Sequence, residues 1–397
     1  MSDRPEPPTE RPSRGRRRRR ATILQRRLVQ YRTTLFERLR QACDERDIEL
    51  RVVYGQASPT DAKRNDDGSL DWGDEVDARW FTVRGTELLW QPCPAEARRS
   101  DLLILTQENK ILSNYPHLLR RLVGSAKLGY WGHGRNLQST DPDGWSERLK
   151  AQLSTRVDWW FAYTEQTRDL LRTDGFPDDR ITVLDNAIDN ESFRSDLDAV
   201  DDDRLDHNRQ ILDLAPDGPL ALYCGSLYPD KRVDLLLDVA QRVHDGDPSF
   251  RLVVIGDGPS RPEVEAFAAD RPWAHWAGVQ RGVDKAAWFR LAKVYLSPGA
   301  VGLHVLDAFT AGVPMFTTTT ARHGPEICYL EHDVNGFVLA PDPGPFARTV
   351  ADVLAEPRRQ ETLVAAGRRA AERYTLTNMV TKFTDGIEAA LDAPRRR

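Results

Sequence analysis

The sequence predicts an α/β chain of two doubly wound, Rossmann-like domains facing one another across a cleft. Three observations carry that reading. Short apolar strands alternate with helical patterns along the chain. The alternation runs twice, in halves separated by an acid-rich stretch at 190–218. The 397 residues, 40% hydrophobic and 29% charged, suffice to bury more than one core. Strands that alternate with helices form parallel sheets covered on both faces. Ligands of such sheets sit beyond the C-terminal strand ends, and a pair of domains turns that edge into a cleft.

The elements follow in order. Residues 21–25 read as the opening strand, and Leu35, Phe36, Leu39 and Ala42 fall at helical spacing within 31–45. Further strands are expected at 48–54, 102–105, 127–131, 159–163 and 181–184, with a helix at 118–123. Thr164 is placed to cap the helix after the 159–163 strand, and 58–76, with Asp66-Asp67-Gly68, reads as a loop. In the second half strands are expected at 220–224, 251–255, 273–276, 294–297 and 314–318. Helices are expected at 233–243, 262–269, 286–291, from 302 to about 311, and at 345–354, 360–374 and 377–391. The domain scheme is a basic disordered tail (1–20), an N-terminal Rossmann-like domain (21–190), a linker (191–218), a C-terminal Rossmann-like domain (219–375) and a last helix (376–397) returning to the first domain.

Charge is unevenly placed. The net charge is −5, yet the first twenty residues hold eight arginines against three acids, ending in Arg16 to Arg20, and the chain closes on Arg395 to Arg397. One reading of residues 14–20 is peripheral contact with an anionic membrane, worth about 1 kcal/mol per basic residue near the surface. The competing reading is a solvated, disordered tail. The acidic body argues against nucleic acid as a partner, because a nucleic-acid domain carries its basic stripe on the folded part. No apolar run approaches the ~18 residues of a membrane span, and no apolar stretch follows the N-terminal charge as in a secretory signal. The expected location is cytoplasmic, peripheral at the inner membrane face if the tail engages lipid. Cys43, Cys93, Cys224 and Cys328 lie too far apart in sequence for a zinc ribbon or a CxxC pair, and read as free thiols.

Three strands of the second half end in glycine-rich turns: Gly225-Ser226-Leu227-Tyr228-Pro229-Asp230-Lys231-Arg232, Gly256-Asp257-Gly258-Pro259, and Ser297-Pro298-Gly299-Ala300-Val301-Gly302. Glycine lets main-chain N–H groups approach an anion, and a helix N-terminus favours negative charge. With Lys231 and Arg232 at the same edge, the set suits a diphosphate. Any one turn alone is better explained as an ordinary strand-to-helix connection; it is the three together, with the Lys-Arg pair, that favour the diphosphate. No GxxxxGK[ST] run exists, which argues against a P-loop nucleotidase, and no Asp-x-Asp follows a strand in the expected cleft.

These stretches resemble the donor-binding domain of retaining GT-B glycosyltransferases of family 4, in a branch with a PG-x-VGL motif. The resemblance rests on 225–237 (GSLYPDKRVDLLL), 252–259 (LVVIGDGP), 276–279 (WAGV), 297–314 (SPGAVGLHVLDAFTAGVP) and 324–339 (GPEICYLEHDVNGFVL). In the first half, 162–193 is similar to the segment before the interdomain crossing, and Gly132-His133-Gly134 to a sugar-contacting turn. The resemblance implies that Lys231 contacts a donor diphosphate, with Gly225, Ser226, Arg232 and Gly258 around it. It implies main-chain contacts from Gly299, Ala300, Val301, Gly302 and Leu303, a ribose contact from Asp307, a base contact from Val279, and Glu326 in a loop near the donor. His133 and Lys231 are the implied catalytic pair. The implied co-substrate is a UDP-, GDP- or dTDP-linked sugar, with no metal and no other cofactor. The acceptor would be a hydroxyl of a glycan, glycolipid or small molecule, as in polysaccharide biosynthesis.

Two positions depart from the family. Gly299 stands where it often has Glu, and Ser226 where it has Arg. They keep open a GT-B pseudo-glycosyltransferase or a non-sugar transferase. A sugar-nucleotide epimerase also shares the fold, but would be expected to place a carboxylate pair in the cleft. Arg26, Arg27, Tyr31 and Arg32 follow the first strand and read either as a charged-acceptor contact or, preferably, as a solvated helix start.

Overall fold

The computed structural model describes residues 17–64, 66–83, 85–121, 124, 126–134 and 155–396. The first lobe holds β1 (Arg19–Arg27), β2 (Ile48–Gly55), β3 (Asp74–Glu75), β4 (Arg79–Val83), β5 (Thr86–Trp90), β6 (Leu102–Thr106), β7 (Lys127–Gly132), β8 (Trp159–Ala162) and β9 (Ile181–Val183). Seven of these form a parallel sheet in the order β3-β2-β1-β6-β7-β8-β9, while β4 and β5 pair as an antiparallel hairpin that the sequence reading did not anticipate. The second lobe holds β10 (Leu220–Cys224), β11 (Arg251–Ile255), β12 (Ala274–Gly278), β13 (Val294–Leu296), β14 (Met315–Thr318) and β15 (Gly336–Leu339). They form a six-stranded parallel sheet in the order β12-β11-β10-β13-β14-β15. The chain is therefore two Rossmann-like domains, as the alternation predicts. In each sheet the strand order reverses beside the first strand, β1 or β10, and such a switch point opens a crevice at the strand ends.

The helices are α1 (Thr33–Asp44), α2 (Asn114–Arg121), α3 (Glu165–Thr173), α4 (Asn190–Asp198), α5 (Asp202–Leu212), α6 (Val233–Gly246), α7 (Arg261–Ala269), α8 (Gly282–Leu291), α9 (His304–Ala311), α10 (Pro343–Ala355), α11 (Pro357–Arg373) and α12 (Leu376–Asp392). Thr164 caps α3, accepting from the Thr167 N–H. The closing helix α12 lies on the first sheet, where Phe383 packs 5.0 Å from Trp131 and 4.9 Å from Phe161.

Two expectations are corrected. Residues 191–218, read as a linker, fold largely into helices. Asp189 caps α4 through the Ser192 N–H and Asp201 caps α5 through the Arg204 N–H at 2.9 Å. The acid run 201–203 thus occupies a cap and a first helical turn, where negative charge meets the positive end of the helix dipole. Phe193 of α4 then packs against Phe289 of α8 at 5.2 Å. The second correction concerns the tail. Residues 1–16 lie outside the described residues, but Arg17 to Arg20 are held. Arg17 pairs with Asp101 at 2.6 Å, Arg18 with Asp44, Arg19 with Glu388 and Asp392 at 3.2 and 2.7 Å, and Arg20 with Glu49 at 2.9 Å. β1 begins at Arg19, inside the arginine run, and acids of the folded body answer this part of the charge. No helix among the described residues is long and apolar enough to cross a membrane.

Candidate functional site

The C-terminal edge of the second sheet is assembled from main chain. The turn after β10 lies on the turn after β11: Gly225 N–H donates to Ile255 O at 3.0 Å and Leu227 N–H to Asp257 O at 2.9 Å. Gly256 sits at φ 137°, and a Cβ there would come 1.8 Å from Gly225 O, so no other residue fits. Ser226 gives its carbonyl to the Tyr223 hydroxyl at 2.8 Å, and Gly258 N–H donates to the Asp257 carboxylate at 2.8 Å.

Lys231 ends a short 3-10 turn (Pro229–Lys231), and its Nζ donates to Ala300 O at 2.5 Å. In return Ala300 N–H donates to Asp230 O at 3.0 Å. The two turns press so closely that a Cβ on Gly299 would lie 2.2 Å from the Lys231 carbonyl carbon. That close approach explains the first family departure: a Glu has no room at 299 while the Lys231 turn stays in place. Val301 N–H donates to His323 Nδ1 at 3.1 Å, and His323 Nε2 lies 2.7 Å from Thr318 O. This assigns the tautomer, with the proton on Nε2 and Nδ1 accepting. Of the five residues expected to present N–H groups, Ala300 and Val301 are thus engaged within the chain. Gly302 and Leu303, at the threshold of α9, meet no acceptor among the described residues.

Two histidines that the sequence reading missed flank this turn. His304 Nε2 lies 3.1 Å from Ser297 Oγ. Burial, then Lys231 and His323, push its pKa well below the usual imidazole value. His323 is pushed down too, by burial and Lys231, although its hydrogen bond to Thr318 opposes the shift. Both rings are neutral beside the ammonium group of Lys231. Arg232, at φ 54°, turns its guanidinium to the Asp234 carboxylate, with Nε and Nη2 each 2.9 Å from an oxygen. Asp307, one turn into α9, is buried and paired with Lys285 of α8 at 2.9 Å. Burial works to lower the Lys285 pKa, but Asp307, Cys224 and Asp196 together outweigh it and the net shift is upward. Lys285, also missed, lies 4.1 Å above the Phe193 ring. Val279 is 59% exposed just beyond β12, at the far end of the same edge.

The facing rim comes from the first lobe and is made of side chains. His133 follows β7, its ring 5.3 Å from that of Tyr163, while Gln107 holds the turn by donating to Gly134 O at 2.9 Å. Arg32 is the surprise. Read as part of a solvated helix start, it is only 6% exposed, its guanidinium 5.2 Å from the Trp131 ring and 5.9 Å from Tyr163. Arg26 and Arg27 are not solvated either: they hold Asp61, and Asp66 and Asp67, respectively. Of the four residues only Tyr31, 49% exposed, faces water.

One chain of hydrogen bonds joins the rims. Arg32 Nη2 donates to Asn186 Oδ1 at 2.8 Å, and Asn186 Nδ2 donates to Glu326 Oε1 at 2.5 Å. Gly324 N–H, two residues before Glu326, donates to Val301 O at 2.8 Å. Burial raises the Glu326 pKa, while Asn186 works against that rise. The expected donor-loop carboxylate therefore spends an oxygen on the residue where the chain crosses between lobes. A separate cavity of about 880 Å³, lined by Pro219, Val243, Lys293, Ala347 and Leu354 among others, lies on the outer side of the second lobe, at the opposite strand ends from Lys231.

Residues 218–356 match the family model described as "Glycosyl transferases group 1". The D-inositol 3-phosphate glycosyltransferase of Xylanimonas cellulosilytica is 31% identical over 225 residues, 53% of this chain and 51% of that protein. The match thus spans about half the length of that curated relative. Among solved structures, Anabaena Alr3699/HepE in complex with UDP aligns with a TM-score of 0.66 at 13% identity, over 93% of this chain and 99% of that one. A glycosyltransferase from Rickettsia africae aligns with a TM-score of 0.68 at 11% identity, over 96% and 100%. At these identities the structural likeness concerns the fold. The glycine-turn lobe falls within the matched family region and both lobes within the matched fold: residues 218–356 match the group 1 glycosyl transferases, and the chain as a whole has the two-domain GT-B fold.

Proposed function

We propose that this protein transfers a glycosyl group from a nucleotide-diphosphate sugar to a hydroxyl of a glycan, glycolipid or small-molecule acceptor, with retention at the anomeric carbon. The observation that carries the reading is the Lys231–Ala300 contact at the mouth of α9. There an ammonium group and the N–H groups of Gly302 and Leu303 converge on one edge. Such a place stabilises the charge that develops on a departing diphosphate. The bond from the anomeric carbon to the phosphate oxygen breaks, and the bond to the acceptor oxygen forms on the same face through an oxocarbenium-like state. The acceptor proton passes to the leaving diphosphate. His133, on the facing rim, contacts the sugar in flight. Val279 offers main chain to the base, and Asp307, steadied by Lys285, meets the ribose. The relatives' printed names, a glycosyltransferase and a UDP complex, support this class of donor. Charge stabilisation by Lys231 and main-chain dipoles makes the reaction metal-independent, so chelation leaves turnover intact. The acidic body and the held arginines 17–20 favour a protein that acts without nucleic acid. Peripheral contact with an anionic membrane through residues 14–20 completes the proposal, the charge of Arg17 to Arg20 being partly answered within the chain.

The test is incubation of purified protein with UDP-, GDP- and dTDP-sugars and extracted acceptors, reading nucleoside diphosphate release and product mass. One donor should be consumed, and Lys231→Ala should abolish most of that consumption. One observation favours a second reading, a GT-B protein without sugar transfer: Gly299 leaves no side chain to grip the donor sugar. Tight nucleotide binding with no sugar released or transferred from any donor would select that reading.

A further inference from the structure

A second basic site stands on the first lobe, at the opposite end of the sheet from His133. Residues just before β6 and β7 lie at the N-terminal strand ends, away from the cleft. There a cavity of about 220 Å³ is lined by Arg98, Arg99, His117, Arg120, Arg121 and Lys127, together with small and apolar residues and no carboxylate. Two of these cations are already used. Arg121 holds the buried Asp158 with two bonds of 2.8 and 3.1 Å, and Lys127 donates to Leu391 O.

Arg98, Arg99 and Arg120 are exposed and have no acidic partner among the described residues. Elsewhere in this lobe arginines find acids: Arg26, Arg27, Arg46 and Arg51 each hold one or more. The net charge of −5 does not lack carboxylates to spend, yet among the described residues none is paired with these three arginines. Burial, with Arg120 and Arg98 close by, pushes the His117 pKa down to about 4, so the ring enters the cavity neutral at pH 7. Three guanidinium groups around one small concavity repel one another, and an anion between them converts that repulsion into attraction. Their planar forks offer more N–H donors than the two oxygens of a single carboxylate can use, and match the three oxygens of a phosphate.

We propose that this cavity is a phosphomonoester site, separate from the cleft, in which Arg98, Arg99 and Arg120 clamp the phosphate. The ester comes either from a soluble metabolite or from a lipid headgroup; Leu119, 67% exposed beside Arg120, lies where an acyl chain would follow the latter. The site stands whether or not the cleft performs sugar transfer.

The experiment uses the full chain carrying Lys231→Ala, so that the cleft does not compete for phosphate. Glycerol 3-phosphate is titrated by calorimetry. Co-sedimentation is read with phosphatidylcholine vesicles, with and without phosphatidic acid. Binding of either phosphate source is expected, weakened at least about tenfold when Arg98→Gln and Arg120→Gln are added, with the melting temperature unchanged. Should that double change lower the melting temperature, Arg99→Gln alone should give the same weakening in smaller degree. Binding of the soluble ester alone assigns a metabolite, and sedimentation only with phosphatidic acid assigns a lipid. Absence of both, or binding indifferent to all three arginines, overturns the proposal.

Discussion

The two rims of the cleft are built in opposite ways. On the second lobe the edge is backbone on backbone: the Gly225, Gly256 and Gly299 turns lie against one another at distances that leave no space for a Cβ at Gly256 or Gly299. On the first lobe the edge is side chain on side chain, with Arg32 between aromatic rings and His133 against Tyr163. A main-chain edge cannot be retuned one residue at a time, because each change displaces a neighbouring turn. A side-chain edge can. Under the proposed function, the difference becomes a division of labour in which the second lobe would grip what all such donors share and the first lobe would meet what is particular.

That contrast can be broken most sharply at Lys231. Lys231→Ala should lower turnover by about 10²–10³-fold while leaving thermal unfolding unchanged, since it removes charge but no core. Gly299→Ala should act on fold and function together. The added Cβ forces the Lys231 turn away, costing about 1–3 kcal/mol in urea unfolding and weakening nucleoside diphosphate binding. On the other rim His133→Ala should reduce transfer and spare diphosphate binding; equal loss of both would erase the contrast.

Asn186→Ala tests the link between rims. It strands the buried Glu326 and Arg32, and should destabilise the protein by about 1–3 kcal/mol. A pH series tests the buried imidazoles. The pKa values of His304, His323 and His117 are lowered in the folded chain, so below about pH 6.5 the unfolded chain takes up protons that the folded chain refuses. Stability should therefore fall as pH drops from about 6.5 towards 4, and His304→Gln with His323→Gln should flatten part of that slope. The smallest effect is expected at Arg232. Its exposed pair with Asp234 is worth less than about 1 kcal/mol, and Arg232→Ala should change diphosphate affinity far less than Lys231→Ala.

The same contrast explains how much was legible in the sequence. Alternating strands and helices showed both sheets, and the edges of β10 and β11 fall where the apolar runs do. Glycine at a strand end signals a turn by its own chemistry, so the second lobe's rim could be read before its coordinates. The acid-rich stretch misled, because Asp189 and Asp201 do their work as helix caps, and a cap looks like a linker when the helix behind it is polar. The β4–β5 hairpin and β15 were missed because their short strands, RWFTV, TELLW and GFVL, carry no long apolar run. Arg32 was misread and Asn186 missed because pairing across lobes leaves no local spacing, while Lys285, His304 and His323 were missed because their partners within the second lobe sit on other elements or turns. For His304 and His323 a faint signal existed: His304 stands two residues after the Gly302 turn, and His323 directly precedes the 324–339 stretch that carries the resemblance.

The most direct test is a calorimetric titration of UDP, GDP and dTDP into the wild-type chain and into Lys231→Ala. The account predicts that one nucleoside diphosphate binds the wild type and loses at least about tenfold in affinity without the ammonium group, with the fold unchanged. Equal affinity in both proteins, or no binding of any diphosphate to the wild type, would contradict it.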